Sequence, residues 1–302
     1  MSAATPLTAP ARGRGPARRL SGLLHRRPGL RLGVLLSAPS AWLVGAYLGS
    51  LAVLLVSAFW TTDSFTGNVV RTLTTDNFRT VLGSQLYRTV TVRTVTVAVA
   101  VTVVCTVIGL PVAFYMAKVA SLRMRRALVV AVLTPLWASY LVKAFAWRVM
   151  LSGDGVVNWL LRPLGISGPG YGLTATVIVL SYLWLPYMIL PVYAGLDRLP
   201  DSLLEASGDL GARAGRTFRS VVLPMAFPAV VAGSIFTFSL SLGDYITVQI
   251  VGGKSQLLGN LIYANVGAAN NRPLAAALAA VPVVIMLVYL AAVKRTGALE
   301  NL

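Results

Sequence analysis

The chain is short of charge, of acidic residues above all, and of both cysteine and histidine. Charged residues make up 12% of its 302 positions, about half the roughly 25% of a soluble domain. Hydrophobic residues make up 56%, and mean hydropathy is +0.75. Disorder requires low hydrophobicity and is excluded. Lys and Arg number 26 against 9 Asp and Glu, a net charge of +17 with the one histidine neutral. A nucleic-acid binder would carry such an excess on a water-soluble face, and most of this chain has no place in water. The single cysteine, Cys105, excludes a disulfide within the chain. The single histidine, His25, sits in an Arg-rich tail. It leaves no metal site of the usual kinds and no nucleophile–histidine pair. An integral membrane protein is the class that remains.

What the chain does have is long uncharged runs. A bilayer core of about 30 Å takes about 20 apolar residues as helix. Charge-free or nearly charge-free stretches predict six transmembrane helices near 34–59, 94–117, 127–147, 173–195, 223–243 and 274–293. Backbone groups in lipid must be satisfied internally, which favours helices. A membrane β-barrel would need strands alternating polar and apolar residues, and the spans read as continuous apolar runs. The first uncharged run, Leu32–Thr62, is 31 residues. That exceeds the roughly 7–15 of a signal-peptide core, so it reads as a retained anchor. The expected fold is all-α and polytopic, with a basic cytoplasmic tail at 1–31, a six-span domain at 32–295 and a short cytoplasmic tail at 296–302.

Basic residues orient the spans. With the N-terminus inside, seventeen Lys and Arg fall on the inner side and eight on the outer. Both termini are therefore expected in the cytoplasm. The Arg-rich tail suits attraction to anionic membrane lipid. Gly252-Gly253-Lys254-Ser255 imitates the end of a phosphate-binding loop, but Val248 stands where that pattern needs glycine. It reads as an outer turn, and no nucleotide site is visible.

The inner loop Leu196–Val222 stands apart. It spans 27 residues, where helix connections usually take about two to eight. It holds Asp197, Asp201, Glu205 and Asp209, followed by Arg213, Arg216 and Arg219. Ser202-Leu203-Leu204-Glu205 has the spacing of a capping box. Asp201 and Glu205 suit the positive end of a helix dipole. Gly211 is placed to end that helix in a left-handed conformation. A second short helix is expected over Ala212–Val222, with Pro224 opening span five.

Glu205-Ala206-Ser207-x3-Gly211-x9-Val221-x-Leu223-Pro224 resembles the E-A-A-x3-G-x9-I-x-L-P signature of ABC importer permeases. Its spacing agrees throughout, and Ser207 and Val221 are conservative departures. The resemblance implies the type I importer permease fold, without enzymatic activity of its own. It implies that this loop forms a coupling helix docking into a separate ATPase subunit, which would bind ATP and Mg. It implies a second homologous permease subunit, two ATPase subunits and a periplasmic or lipid-anchored substrate-binding protein as partners, in the bacterial inner membrane. Pro135-Leu136-Trp137-Ala138-Ser139, Ala146-Trp147, Gly155-Val156-Val157-Asn158, Leu242-Gly243-Asp244-Tyr245 and Val251-Gly252-Gly253 resemble stretches of spermidine/putrescine-type permeases, and the long N-terminal tail and Pro-Leu-Trp element resemble the first of the two permease subunits. A polyamine substrate follows as an expectation. A permease for another small solute, or an ion-coupled secondary transporter, are the alternatives.

Asp244 is a carboxylate immediately bordering the uncharged span near 223–243. About twenty residues from Pro224 place it near the outer mouth. Three roles stay open for it: a solvated interfacial acid, a partner of Lys143 at similar depth, or a contact for a cationic substrate. Trp137, Tyr140, Trp147, Trp184, Tyr187 and Tyr245 offer aromatic faces to an ammonium group or serve as interfacial belts. Pro135, Pro186 and Pro191 are candidate kinks in spans three and four.

Overall fold

A computed structural model describes residues 28–63 and 65–295. The basic tail expected at 1–31 lies outside the described residues as far as residue 27, and residues 28–31 already belong to the first helix. The C-terminal tail at 296–302 also lies outside them.

The described chain is helical apart from one small hairpin. It divides at residue 56 into two compact units. The first holds all but the last residue of helix α1, which runs over residues 28–57 and is interrupted by a π turn at Leu43–Leu48. The second unit opens with strands β1 (Thr61–Thr62) and β2 (Val69–Val70), which pair antiparallel with Thr61 opposite Val70. Helices α2 (Asp76–Gly83) and α3 (Gln85–Val119) follow. Next come α4 (Leu122–Trp137), α5 (Tyr140–Met150), α6 (Val156–Leu161) and α7 (Leu173–Asp197). The chain ends with α8 (Asp201–Asp209), α9 (Ala214–Leu242), α10 (Ile246–Val251), α11 (Leu258–Val266) and α12 (Arg272–Arg295).

Among the described residues, five helices are long and apolar enough to cross a membrane: α1, α3, α7, α9 and α12. The span expected as one helix at 127–147 is instead the pair α4–α5, bent by 96°. The helix continues past Pro135 to Trp137, and the break comes where Ala138 and Ser139 take extended backbone conformations. The bent pair is the sixth span if counted as one.

Helix α3 shows how lipid overrides local preference. Thr89–Val97 alternates Thr with Val around Arg93, a pattern with β propensity. It is nevertheless helical, and the hydroxyls of Thr94, Thr96, Thr102 and Thr106 donate to carbonyls four residues back at 2.8–2.9 Å. At 35 residues and 1.5 Å each, α3 is about 52 Å long. It outruns the bilayer core, so Arg88 and Arg93 ride on its N-terminal end rather than in a loop.

The core of the second unit is built by α3, α7 and α9 around small residues. Met188 of α7 is fully buried between Gly109 of α3 and Gly233 of α9. A Cβ on Gly109 would stand 3.0 Å from Met188 Cγ, and one on Gly233 would stand 2.7 Å from its Sδ. Gly195 meets Ala229 in the same way, at 2.5 Å. Without water to drive helices together, close backbone approach at small residues supplies the packing. A second cluster joins Val81, Val90, Leu258, Leu261 and Leu278 at the α2–α3–α11–α12 end. Pro186 and Pro191 lie inside an uninterrupted α7.

Candidate functional site

Two places gather the residues singled out by sequence. At one, α5 begins with Tyr140 immediately after the break, and α9 ends just before Asp244. Asp244 is 8% exposed, the one acidic residue among the described residues that is buried. Its Oδ2 accepts from the Tyr140 hydroxyl. Its Oδ1 accepts from the Thr247 N–H at 2.9 Å, which secures the first turn of α10. The Thr247 hydroxyl lies 2.6 Å from Tyr140 Oη and 3.3 Å from Oδ2. Buried carboxylates need such partners.

This arrangement corrects two of the sequence readings of Asp244. It is not a solvated interfacial acid, and Lys143 is not its partner. The Lys143 ammonium turns to the break and donates to the Pro135 carbonyl at 3.0 Å, one of the carbonyls a helix end leaves free.

Tyr140, Trp184, Ser239, Gly243, Asp244 and Tyr245 line a cavity of about 390 Å³. Tyr140 stacks on Trp184, with ring centroids 6.0 Å apart. Tyr187 and then Phe236 continue that aromatic row. Tyr245 stacks on Tyr263 at 5.1 Å. Trp184 keeps its indole N–H buried without a partner among the described residues, an uncommon state for a polar group. Trp137 does not join them. It is 89% exposed, because the break turns the end of α4 away from α5. Trp147 instead meets Tyr182 in a tilted ring contact, with centroids 5.4 Å apart.

Sequence reasoning passed over Thr247, Asn260 and Tyr263. The spacing of Thr247, three residues after Asp244, is the usual reach of an acidic side chain to a following backbone N–H, and would have marked it. Asn260 donates to the Tyr245 carbonyl at 3.0 Å, and Gly259 packs so closely that a Cβ there would meet the Asp244 carbonyl at 3.1 Å. Nothing local in the sequence announces either contact.

The second place is the loop between α7 and α9. Helix α8 starts at Asp201, with Pro200 at the cap and no side-chain cap bond. The capping box expected at Ser202 is therefore not formed, because Ser202 already lies inside the first turn. The C-terminal end is as expected. Gly211 has φ +75°, the Gly211 N–H donates to Gly208 O at 2.8 Å, and the Ala212 N–H donates to Ser207 O at 3.1 Å. These are the two bonds of a Schellman termination.

The separate helix expected over Ala212–Val222 is instead the start of α9. A π turn at Phe218–Val222 carries the helix past Pro224 without a break. Glu205, Ala206 and Gly211 are exposed, as are Leu223 and Pro224. Ser207 faces α9 and its hydroxyl lies 2.9 Å from that of Thr217. Val221 is half-buried. Glu205 makes no ion pair among the described residues. The Gly252–Ser255 segment is a turn, closed by the Ser255 N–H on Gly252 O at 3.0 Å.

Known proteins match this architecture. Residues 106–295 match the family described as "Binding-protein-dependent transport system inner membrane component". The chain is 46% identical over 299 residues to the inner membrane ABC transporter permease protein YdcU of Escherichia coli strain K12, covering 94% of this chain and 95% of that one. It is 31% identical over 266 residues to the spermidine/putrescine transport system permease protein PotB of Haemophilus influenzae, covering 86% and 92%. Among solved structures, a bacterial ABC transporter that imports the acidic polysaccharide alginate aligns with a TM-score of 0.63 at 18% identity, over 92% of this chain and 99% of that one. The inward-facing MetNI methionine ABC transporter aligns with a TM-score of 0.53 at 20% identity, over 72% and 99%. These two similarities concern the fold, which is that of importer permeases. The ion-coupled secondary transporter is displaced by the family match. The chain belongs to the binding-protein-dependent transport system inner membrane component family and is a multi-pass permease subunit of an ABC importer.

Proposed function

We propose that this importer carries a small cationic solute of the polyamine kind. The observation that carries the reading is the buried Asp244 carboxylate beside Tyr140, Trp184 and Tyr245 in one cavity. An alkylammonium group is attracted by the carboxylate and by the aromatic faces, the latter worth about 0.5–2 kcal/mol each. The spermidine/putrescine permeases among the relatives support the same class. A different small solute is the second reading, since the name of the more similar YdcU relative states none.

In this reading α8 is the coupling helix. Glu205, Ala206 and Gly211 face an ATPase subunit, and the small side chains permit its close approach. Ser207 ties α8 to α9 through Thr217, and Val221, Leu223 and Pro224 belong to the opening turns of α9 beside the docking face. ATP and Mg are bound by that ATPase, two copies of which serve this chain and a second homologous permease. A periplasmic or lipid-anchored binding protein delivers solute to the outer side, and both termini face the cytoplasm. Transport follows from two states of different affinity.

The test is uptake of labelled spermidine and putrescine by the reconstituted importer, beside binding assays on its binding protein. Asp244→Asn is expected to raise the half-saturating concentration about tenfold, the worth of one charged hydrogen-bonded contact. Unchanged kinetics across the titration would remove Asp244 from the pathway. Gly211→Trp is expected to block ATPase docking while the chain remains in the membrane, and wild-type uptake by it would remove α8 from coupling.

A further inference from the structure

The joint between α7 and α8 is three residues, Arg198–Pro200, and such a joint would act as a hinge if left free. Two basic residues from the α3–α4 corner cross it. Lys118 sits in the π turn that ends α3, at Tyr115–Val119. Its side chain is 8% exposed. Its ammonium donates to the Leu199 carbonyl at 2.6 Å and to Asp201 Oδ1, in the first turn of α8, at 2.7 Å. A buried ammonium is stable only with such partners.

Arg125 lies in α4, one turn after the corner. Its Nη1 donates to Asp197, the last residue of α7, at 3.0 Å. Its Nε and Nη2 donate back to the carbonyls of Met116 and Ala117 at 3.1 and 2.6 Å. One planar guanidinium thus joins the ends of three helices, a task suited to its forked geometry. The other flank of the loop is held as well. Phe114 of α3 meets Phe218 of α9 edge to face at 5.6 Å, and Ser207 closes α8 on Thr217. From the same corner, α4 runs to the break before Tyr140.

We propose that Lys118 and Arg125 are positioning residues for coupling. They make α8 a rigid extension of the α3–α4 corner, so that displacement of α8 reaches the bent α4–α5 pair, and Tyr140 on it, instead of being absorbed at the α7–α8 joint. This rests on the reading of α8 as the ATPase-docking helix.

The experiment uses the whole importer in liposomes and reads solute taken up per ATP hydrolysed. Lys118→Met and Arg125→Met are each expected to lower that ratio about fivefold, the size of a modest coupling free energy. Reversing the pair, Lys118→Asp with Asp201→Lys, is expected to restore part of it, since the ion pair returns while the Leu199 carbonyl stays without its donor; a general loss of packing would restore none. Should substitution of Lys118 or Arg125 prevent assembly, Asp201→Ala and Asp197→Ala remove the more exposed partners and are expected to uncouple likewise. A wild-type ratio in all of the variants that assemble overturns the clamp. Wild-type uptake by Gly211→Trp would instead overturn the docking of α8, so the two failures are distinguishable.

Discussion

The Tyr140 hydroxyl donates to Oδ2 of Asp244, joining two residues 104 positions apart at the ends of interrupted helices. Tyr140 is the first residue after the α4–α5 break, and Asp244 follows the last turn of α9. The cavity exists because both helices stop beside each other. Tyr140→Phe removes the donor and leaves Asp244 with the Thr247 contacts alone. Loss of a bond to a buried charged group costs about 1.5–3 kcal/mol. Uptake titrations are expected to show at least a tenfold weaker half-saturation, and a lowered melting temperature in detergent is expected alongside.

Lys143 and Asp244 are expected to be energetically independent. Lys143→Met leaves the Pro135 carbonyl without its donor, at a cost of about 1–3 kcal/mol. Combined with Asp244→Asn in a double-mutant cycle on thermal stability, the two effects are expected to add within about 0.5 kcal/mol. A larger interaction energy would contradict the separation of the two groups.

Met188 leaves no room at its neighbours. Gly233→Leu drives a side chain into the Met188 Sδ and backbone, and overpacking of this kind costs about 1–3 kcal/mol. The melting temperature of the purified chain is expected to fall by several degrees. Adding Met188→Ala is expected to return part of the loss, because the sulfur is removed but the Met188 Cα and carbonyl remain in place.

Gly211 can be separated from its neighbours by conformation alone. Its φ of +75° costs a β-branched residue about 1–2 kcal/mol, whereas asparagine adopts that region more readily. With α8 in its proposed ATPase-docking role, Gly211→Val is expected to reduce co-purification of an ATPase subunit, and Gly211→Asn to reduce it much less. Equal loss in both would point to contact with the side chain instead of to the turn.

In the hairpin loop outside the membrane, Asp63 accepts the backbone N–H groups of Thr66 and Phe65, which hold its carboxyl below the usual carboxylate range. Its folded value is lower than its unfolded value. The loop is therefore held in full above the ordinary carboxylate pKa and released as pH falls through the folded value. Protease nicking of residues 61–70 is expected to be slow at neutral pH and to rise in acid towards that of Asp63→Ala. A variant nicked no faster than the parent at neutral pH would contradict this.

Hydropathy alone located the spans, because lipid forces any long uncharged run to close its own hydrogen bonds. The resemblance of 205–224 to the permease signature points to the family without any tertiary contact, and Gly211 is legible because few residues tolerate a left-handed helix end. The break in span three was half legible. Pro135 marked it, but uncharged flanks read as one continuous helix, and hydropathy carries no record of direction. The capping box at Ser202 misled for a related reason: the spacing was right, and Pro200 let the helix start one residue earlier.

What the amino-acid order determined was therefore local and periodic: apolar length, basic asymmetry, turn chemistry and the permease signature. The tertiary structure decided which groups meet. It placed Asp244 against Tyr140 and Thr247 rather than Lys143, turned Trp137 away, and seated Lys118 and Arg125 across the α7–α8 joint. Those contacts depend on how α3, α7 and α9 approach at Gly109, Gly195 and Gly233, and on the angle at one helix break. A one-dimensional pattern does not encode either distance or angle, so the pairing of distant polar groups appears only once the helices are packed.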